Sequence, residues 1–329
     1  NRAGEDHTIV LNGAVFNRIV SHLPPDERIS LTHDEKESSS LLVRCGEVTF
    51  DLPVLPPDDY PATRALPDTK TASVSVEAFQ RGLNQTVFAA KKSGQTARIS
   101  LTGVNFVLKA DRLRMVTTDG YRLAMKEIGI EDIREESEYL IDAGVMSDLD
   151  RVLSQLDAST LDIYSDDGHL FFCASGVTFT AKRIQEDFPD FDRVIPKNNP
   201  ISLVFDRRAL LEALQRMEIT ASEQSGAVSM NATPEESAVV IGSSSREKGQ
   251  AEERVRLQNV PTDGIQISFN VTLLIDGLKH MASDEVGFWL SERLQAALIE
   301  PAGEKIPSAD HGFLYVLSLI HISEPTRPY

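Results

Sequence analysis

Apolar residues recur along this chain in two alternating rhythms. Val15, Ile19 and Leu23 are spaced four apart, and Val145, Leu149, Val152, Leu153 and Leu156 trace the same narrow stripe, the spacing of one helix face. Phe79, Leu83 and Val87 mark a helix expected over 77–93. Leu210, Leu211, Leu214 and Met217 mark one over 207–218, and Leu274, Leu278 and Met281 one over 270–281; the first stripe predicts a helix over 12–24. Between these come runs of period two: Val104-x-Phe106-x-Leu108, then Leu113 to Thr117, an Asp119-Gly120 turn, and Tyr121 to Lys126. Such runs predict antiparallel strands joined by hairpins. Helices interleaved with hairpin strands predict an α+β fold, with helices on one face of antiparallel sheets.

The pattern also repeats. Val48-Thr49-Phe50 returns as Val177-Thr178-Phe179 at an offset of 129, and Asp59-Tyr60-Pro61 returns as Asp187-Phe188-Pro189 at 128. Cys45 and Cys173 share the offset of 128, which places them on one equivalent strand as small buried hydrophobes. Leu11-Asn12, Ile141-Asp142 and Phe269-Asn270 each close an apolar run and open a helical one, and Val74-x-Val76 matches Leu203-x-Phe205. Three copies of a unit of about 128 residues follow. Residues 1–68 are expected to form the C-terminal half of a first domain. A second is expected over 69–198, with a linker at 189–200, and a third over 199–317. By the repeat, about 57 residues of the first unit are expected to precede Asn1 in a complete protein. Residues 318–329 continue neither strand nor repeat and read as a non-native tail.

Composition bounds the function. In 329 residues, 33 Lys and Arg stand against 50 Asp and Glu, a net charge of −17, with 41% hydrophobic content, as in an ordinary globular protein of two or three domains. Acidity alone argues against nucleic acid, since a polyanion is normally held by Lys and Arg that release its counterions. The charge is uneven, however. The four expected helices 12–24, 77–93, 207–218 and 270–281 carry eight basic residues (Arg18, Arg81, Lys91, Lys92, Arg207, Arg208, Arg216, Lys279) against four acidic ones (Glu77, Glu212, Glu218, Asp276). Two cysteines exclude a disulfide framework or a multi-cysteine metal site, and the expected setting is a reducing cytoplasm. No apolar run approaches the roughly 20 residues that span a bilayer, so no membrane partner is expected.

Signatures of catalysis are missing. Neither a phosphate-binding Gly-x-x-x-x-Gly-Lys-Ser/Thr loop nor Gly-x-Gly-x-x-Gly, His-Glu-x-x-His, Gly-x-Ser-x-Gly or Cys-x-x-Cys occurs, and the seven histidines show no ligand spacing. The acidic pairs Asp58-Asp59 and Asp166-Asp167 sit in turn contexts. A binding protein with neither cofactor nor metal is expected rather than an enzyme. The densest signals are Thr117-Thr118-Asp119-Gly120-Tyr121-Arg122-Leu123-Ala124 and Asp187-Phe188-Pro189-Asp190-Phe191-Asp192-Arg193-Val194-Ile195-Pro196. Taken singly, the first is explained by an Asp-Gly hairpin and the second by a proline-stiffened linker.

Together, and with Phe269-Asn270 and the three repeats, these motifs resemble the bacterial sliding-clamp family, the beta subunits of DNA polymerase III, from about residue 8 to Leu317. The resemblance implies three domains of like fold and a homodimer closed head to tail around double-stranded DNA. It implies helices on the inner face and sheets outside, and a processivity factor without catalysis. It further implies an apolar pocket for peptide tails of the polymerase III alpha subunit, the clamp loader and other clamp-motif proteins. Positions matching that pocket are Leu101, Thr118, Gly120, Tyr121, Arg122, Leu123, Pro189, Arg193, Val194, Asn270, Leu273 and Leu294. Gln95, in an expected hairpin Gly94 to Arg98, matches a DNA-contacting position; helix placement and charge add Arg81, Lys91, Lys92 and Arg98. Phe50 and Ile219 match ring-interface positions. Three departures stand out: Ala143-Gly144 where the family often has basic residues, Ser225 where an aromatic is expected, and 318–329 in place of a Met-Pro tail. The alternative is a peptide-docking adaptor or decoy that closes no ring. A hydrolase using paired carboxylates is a weaker third.

Overall fold

The computed structural model describes residues 8–33, 39–60, 64–234, 236–261, 264–290 and 296–320. It divides into two compact units, Asn1–Ala65 and Leu66–Tyr329. The first holds α1 (Gly13–Ser21), then β1 (Ile29–His33), β2 (Ser40–Cys45) and β3 (Val48–Pro53), paired antiparallel in that order. The second holds two copies of one longer series. The central copy is β4 (Lys70–Ser75), α2 (Val76–Thr86), β5 (Gly103–Lys109), β6 (Arg112–Thr118), β7 (Arg122–Gly129), β8 (Ser137–Asp142), α3 (Ala143–Leu153), β9 (Thr160–Ser165), β10 (His169–Ala174) and β11 (Val177–Lys182). The last copy is β12 (Ile201–Asp206), α4 (Arg207–Thr220), β13 (Ala227–Ala232), β14 (Ala238–Ser245), β15 (Gly249–Arg256), β16 (Ile265–Asn270), α5 (Val271–Lys279), β17 (Glu285–Leu290), β18 (Ala296–Ala302) and β19 (Phe313–Ser318). The first unit reproduces the second half of the series, α1-β1-β2-β3 standing for α3-β9-β10-β11.

Every helix starts the same way. A strand or apolar run ends on a short polar residue whose side chain accepts the N–H of the opening turn: Asn12 from Val15, Ser75 from Ala78, Asp142 from Gly144 and Val145, Asp206 from Ala209, and Asn270 from Leu273. The cap satisfies donors that the helix itself cannot. This explains why the residue pairs ending in Asn or Asp were the visible marks of the repeat. Apolar stripes then fill the core: Phe79 and Leu83 of α2 with Met146, Leu149 and Leu153 of α3 lie against Phe106, Leu161, Ile163 and Phe172. An equivalent core joins α4, α5 and their sheets around Phe205, Leu214, Phe269, Phe288 and Tyr315.

Two expectations are corrected here. The helix expected over 77–93 ends at Thr86 and tightens into a 3₁₀ turn, Val87–Ala89, whose surroundings take up the carbonyls there. Thr117 Oγ1 donates to the Thr86 carbonyl at 2.5 Å, and Arg122 Nη2 donates to that of Phe88 at 2.8 Å. Lys91 and Lys92 therefore lie in a loop. The cysteines lie on equivalent strands, β2 and β10, as expected, but one residue out of step, so that only Cys45 is the buried side chain expected. Cys45 pairs with Val48, whereas Val177 pairs with Ala174, so Cys45 corresponds to Ala174. A slip of one residue turns a side chain to the other face of a strand, and accordingly Cys45 is buried while Cys173 is half-exposed.

The sheets of the last two copies fuse. β19 pairs antiparallel with β7, from Phe313 opposite Lys126 to Leu317 opposite Arg122, giving one eight-stranded sheet in the order β12-β17-β18-β19-β7-β6-β5-β8. β11 and β15 are left at the edges of two four-stranded sheets, and β3 at an edge of the three-stranded one. Beneath the joint lies a buried polar cluster. Asp310, with 1% of its surface exposed, accepts from Gln85 Nε2 at 2.9 Å and from the N–H groups of Ala282 and Ser283 at 2.7 Å each. Lys126 Nζ donates to the carbonyls of Ala309 and His311 at 2.6 and 2.8 Å. Burial pushes the Lys126 ammonium down to about 8, against the opposing pull of Asp310.

Replacing Asp310 with alanine strands two buried N–H groups and one amide, and is expected to cost about 3 kcal/mol of stability in urea denaturation. Lys126 titrates lower in the folded chain than its ordinary 10.5, so the unfolded chain binds more protons between pH 8 and 10.5 and stability from this group rises across that window. Lys126→Met should flatten the rise. Equal slopes for both proteins between pH 8 and 10 would refute the assignment.

Candidate functional site

The Thr117–Ala124 motif forms the turn between β6 and β7, and it is wider than a two-residue hairpin. Thr118 and Leu123 are the last strand pair. Asp119 Oδ1 accepts the N–H groups of Tyr121 and Arg122 at 2.9 and 3.0 Å, and Gly120 takes φ +91°, a conformation costly for any residue with a Cβ. The turn pushes Tyr121 into solvent, 66% exposed, while Leu123 is buried in an apolar cluster with Val116, Met125 and Val316 on the sheet. Phe188, Phe191 and Ile195 of the second motif pack against that same cluster. The sheet and the linker thus form one apolar surface, and the two motifs, some 65 residues apart in sequence, meet on it. Val194 stands out from the linker at 54% exposed; Arg193, more exposed still, pairs with Asp190 at 2.7 Å, and Pro189 is half-buried.

Arg122 ties this surface to the last repeat. Its Nε meets Asp119 at 3.1 Å, Nη1 meets Asp276 of α5 at 2.9 Å, and its guanidinium lies 5.3 Å from the Phe88 ring. Phe88 in turn stacks on His280 at 3.9 Å between ring centres. On the far side of the turn, Ser318 N–H donates to the Tyr121 carbonyl and Tyr315 Oη to that of Leu273. Leu273 is half-buried against the core of the last repeat, and Asn270, besides capping α5, donates from Nδ2 to Ser225 O at 3.1 Å. Leu101 is buried in a short 3₁₀ turn, Ile99–Thr102, and its carbonyl accepts from Lys91 N–H. Leu294 lies outside the described residues.

The basic candidates fall into two places. Lys91, Lys92, Gln95 and Arg98 occupy the loop between α2 and the 3₁₀ turn. This loop is not the expected hairpin: it is held by Gln95 N–H to the Lys92 carbonyl and Arg98 N–H to Thr96 Oγ1, with no paired strands on its flanks. Lys92, Gln95 and Arg98 line its outer side, and Lys91 Nζ lies 6.0 Å from the Tyr121 ring centre. Arg81 sits elsewhere, on α2 against the last repeat, with its guanidinium 4.0 Å from Asp310. Gln85, on the same face, has no exposed surface. The polar face of α2 is thus largely a contact between repeats, which helix periodicity alone could not distinguish from a solvent face. Phe50 of β3 is half-buried, and Ile219, near the end of α4, is 71% exposed. Among the described residues no group of three or more His, Cys, Asp or Glu is placed to hold a metal, and no helix is long and apolar enough to cross a membrane.

Three family profiles match in tandem: the N-terminal domain of the DNA polymerase III beta subunit over residues 1–67, its central domain over 73–190, and its C-terminal domain over 192–311. The chain belongs to the DNA polymerase III beta-subunit family. It is a polymerase processivity clamp, of a family that acts on DNA with polymerase partners, forms rings and has no catalytic role of its own. The beta sliding clamp of Staphylococcus aureus is 28% identical over 300 residues, covering 91% of this chain and 78% of that protein. The crystal structure of the Pseudomonas aeruginosa beta subunit superimposes with a TM-score of 0.87 at 26% identity, covering 98% of this chain and 84% of that one. The Thermotoga maritima beta subunit gives 0.85 at 26% identity, covering 97% and 83%. The expected sliding-clamp fold of repeated α+β domains is therefore the observed one.

Arg122→Met leaves Asp276 without its partner and the Phe88 carbonyl without its donor. It is expected to lower stability by about 2–4 kcal/mol, measured by denaturant unfolding, and Arg122→Lys should recover less than half of the loss because an ammonium cannot reach three acceptors in a planar fork.

Proposed function

We propose that two copies of this clamp close head to tail into a ring around duplex DNA in the bacterial cytoplasm. In this reading the ring tethers the polymerase III alpha subunit and is opened by the clamp loader. The observation that carries the reading is the β19–β7 joint. By the repeat, β3 is the counterpart of β19, and β15 the counterpart of β7. Each is an edge strand with unpaired backbone groups. Pairing β3 of one copy with β15 of the other reproduces between molecules the joint that already exists within one. Two such joints use up β3 and β15 of both copies, which closes the ring on itself. Phe50, counterpart of Tyr315, and the exposed Ile219 lie at these joints in the proposal.

DNA passes through such a ring without being gripped. Lys91, Lys92, Gln95 and Arg98 form the compact basic loop that faces it in this reading, and Arg81 supports the loop's helix while contributing its charge. The partner-binding groove is the apolar surface of Leu123, Pro189 and Val194 with Leu101 at one side. It is flanked by Thr118, Gly120, Tyr121, Arg122 and Arg193, and continues toward Asn270, Leu273 and Leu294. Buried apolar area supplies affinity there, and Arg and Asn supply orientation. Peptide tails of polymerase, loader and other clamp-binding proteins compete for it.

The ring is tested by loading the protein with an ATP-driven clamp loader onto nicked circular DNA. Retention in high salt, with release when the circle is cut, is the expected result; equal loss from circular and linear DNA refutes it. Ile219→Arg should shift the mass by light scattering from dimer to monomer while leaving peptide binding within about twofold, since an exposed residue outside the groove changes little else. A wild type that is monomeric yet still binds peptide would establish instead the adaptor that closes no ring.

A further inference from the structure

Asn105 stands in the middle of β5 with no exposed surface. Its Nδ2 donates to Glu138 Oε1 at 2.7 Å, which fixes the amide in one sense, because the reverse would set oxygen against a carboxylate. Oδ1 then faces away, buried and with no donor among the described residues. Buried acceptors are almost always satisfied, so this one calls for a donor that the described residues do not supply, whether a water, an ion or an incoming side chain. Asn105 lines a cavity of about 620 Å³ together with Glu138, Arg183, Glu186, Asp187 and Phe188.

The charge of the lining says what kind of donor it takes. Three carboxylates face one guanidinium, and that guanidinium is already committed. Arg183 lies 4.8 Å from the Tyr139 ring centre and donates to the carbonyls of Asp166, Asp167 and Glu138. Of the carboxylates, Glu186 accepts Ser100 N–H at 2.9 Å. A positively charged N–H donor meets both needs at once, pairing with Oδ1 and offsetting the surplus negative charge.

Position decides the source. Asn105 pairs across the sheet with Val116, and Val116 with Met125; both belong to the apolar cluster that includes Leu123. Phe188 lines the cavity and packs on that cluster. Two strand spacings and a two-residue step along β7 put Asn105 roughly 12 Å from Leu123, or about three to four residues of extended chain. We propose that this cavity receives a lysine or arginine side chain of the partner segment held in the groove, about three to four residues from the one seated on Leu123. The proposal rests on the groove being the partner-binding site.

The test uses the full chain and a synthetic peptide corresponding to the C-terminal tail of a polymerase III alpha subunit. Lysine or norleucine is placed three and four positions to either side of its apolar anchor, and binding is read by fluorescence anisotropy. At one of these positions lysine should bind about fivefold tighter than norleucine, as one charge-assisted hydrogen bond allows. The advantage should fall below about twofold in Glu138→Gln/Asp187→Asn and in high salt, with the norleucine peptide unaffected. Glu138→Gln keeps an oxygen for Asn105, so the fold is not at stake. If both peptides bind equally at every position, or the lysine advantage survives in the double variant, the subsite is refuted while the groove stands. If no peptide binds, the groove reading itself fails and the subsite falls with it.

Discussion

The molecule beyond residue 65 depends on one backbone joint, the pairing of β19 with β7. It turns two four-stranded half-sheets into one of eight strands, and it is the only strand pairing that crosses between the last two repeats among the described residues. Hydrogen bonds along a ladder are individually worth little net of water, but breaking several buried ones together is costly. The joint is reinforced on both sides. Arg122 at one end reaches Asp276, and Lys126 at the other reaches the carbonyls of Ala309 and His311, so the strand that makes the ladder also carries the charges that lock it. The apolar surface proposed for partners is built over this joint, since Leu123 and Val316, neighbours across it, share the apolar cluster. Rigidity of the joint and definition of the groove therefore have a common cause.

Much of this fold is legible in the sequence for a physical reason: periodicity and capping are local, and both repeat three times. The helix-opening Asn12, Asp142 and Asn270 stand out because a cap must be a short polar residue wherever the chain turns from strand to helix. What is illegible depends on contacts from afar. The apolar stripe of α2 is periodic beyond Thr86, yet the helix ends there, and Thr117 and Arg122 donate to the Thr86 and Phe88 carbonyls at its end. Gln85 looks like a solvent-facing residue until Asp310, 225 residues away, closes over it. Asp310 and Lys126 escape a reading by pattern, although a lysine directly after the apolar Leu123-Ala124-Met125 of β7 is a signal of a buried partner. The two cysteines mark the equivalent strands correctly but not their shared burial, because matching letters at a similar offset say nothing of register, which strand pairing alone decides.

Charge has to be relocated for the same reason. Within the observed limits α1, α2, α4 and α5 carry six basic residues against four acidic ones, a weaker excess than periodicity implied. Several of those bases are spent on structure: Arg207 on the Ser283 carbonyl, Arg208 on Glu212, and Arg216 on Glu253. The concentrated positive charge lies instead in residues 91–98, where Lys91, Lys92 and Arg98 stand with no acidic neighbour in the loop.

A net charge of −17 is then compatible with DNA for a reason of mechanism rather than of averaging. Affinity from phosphate contacts rises with each cation engaged, and so does the resistance to moving along the duplex. In the proposed ring no such affinity is needed; the few bases of the 91–98 loop would steer and centre the duplex without fixing it. In that proposal, acidity elsewhere keeps DNA away from the apolar groove assigned to protein partners. The same proposal gives the acidic cavity beside that groove a use: it would discriminate among partner segments by their basic residues.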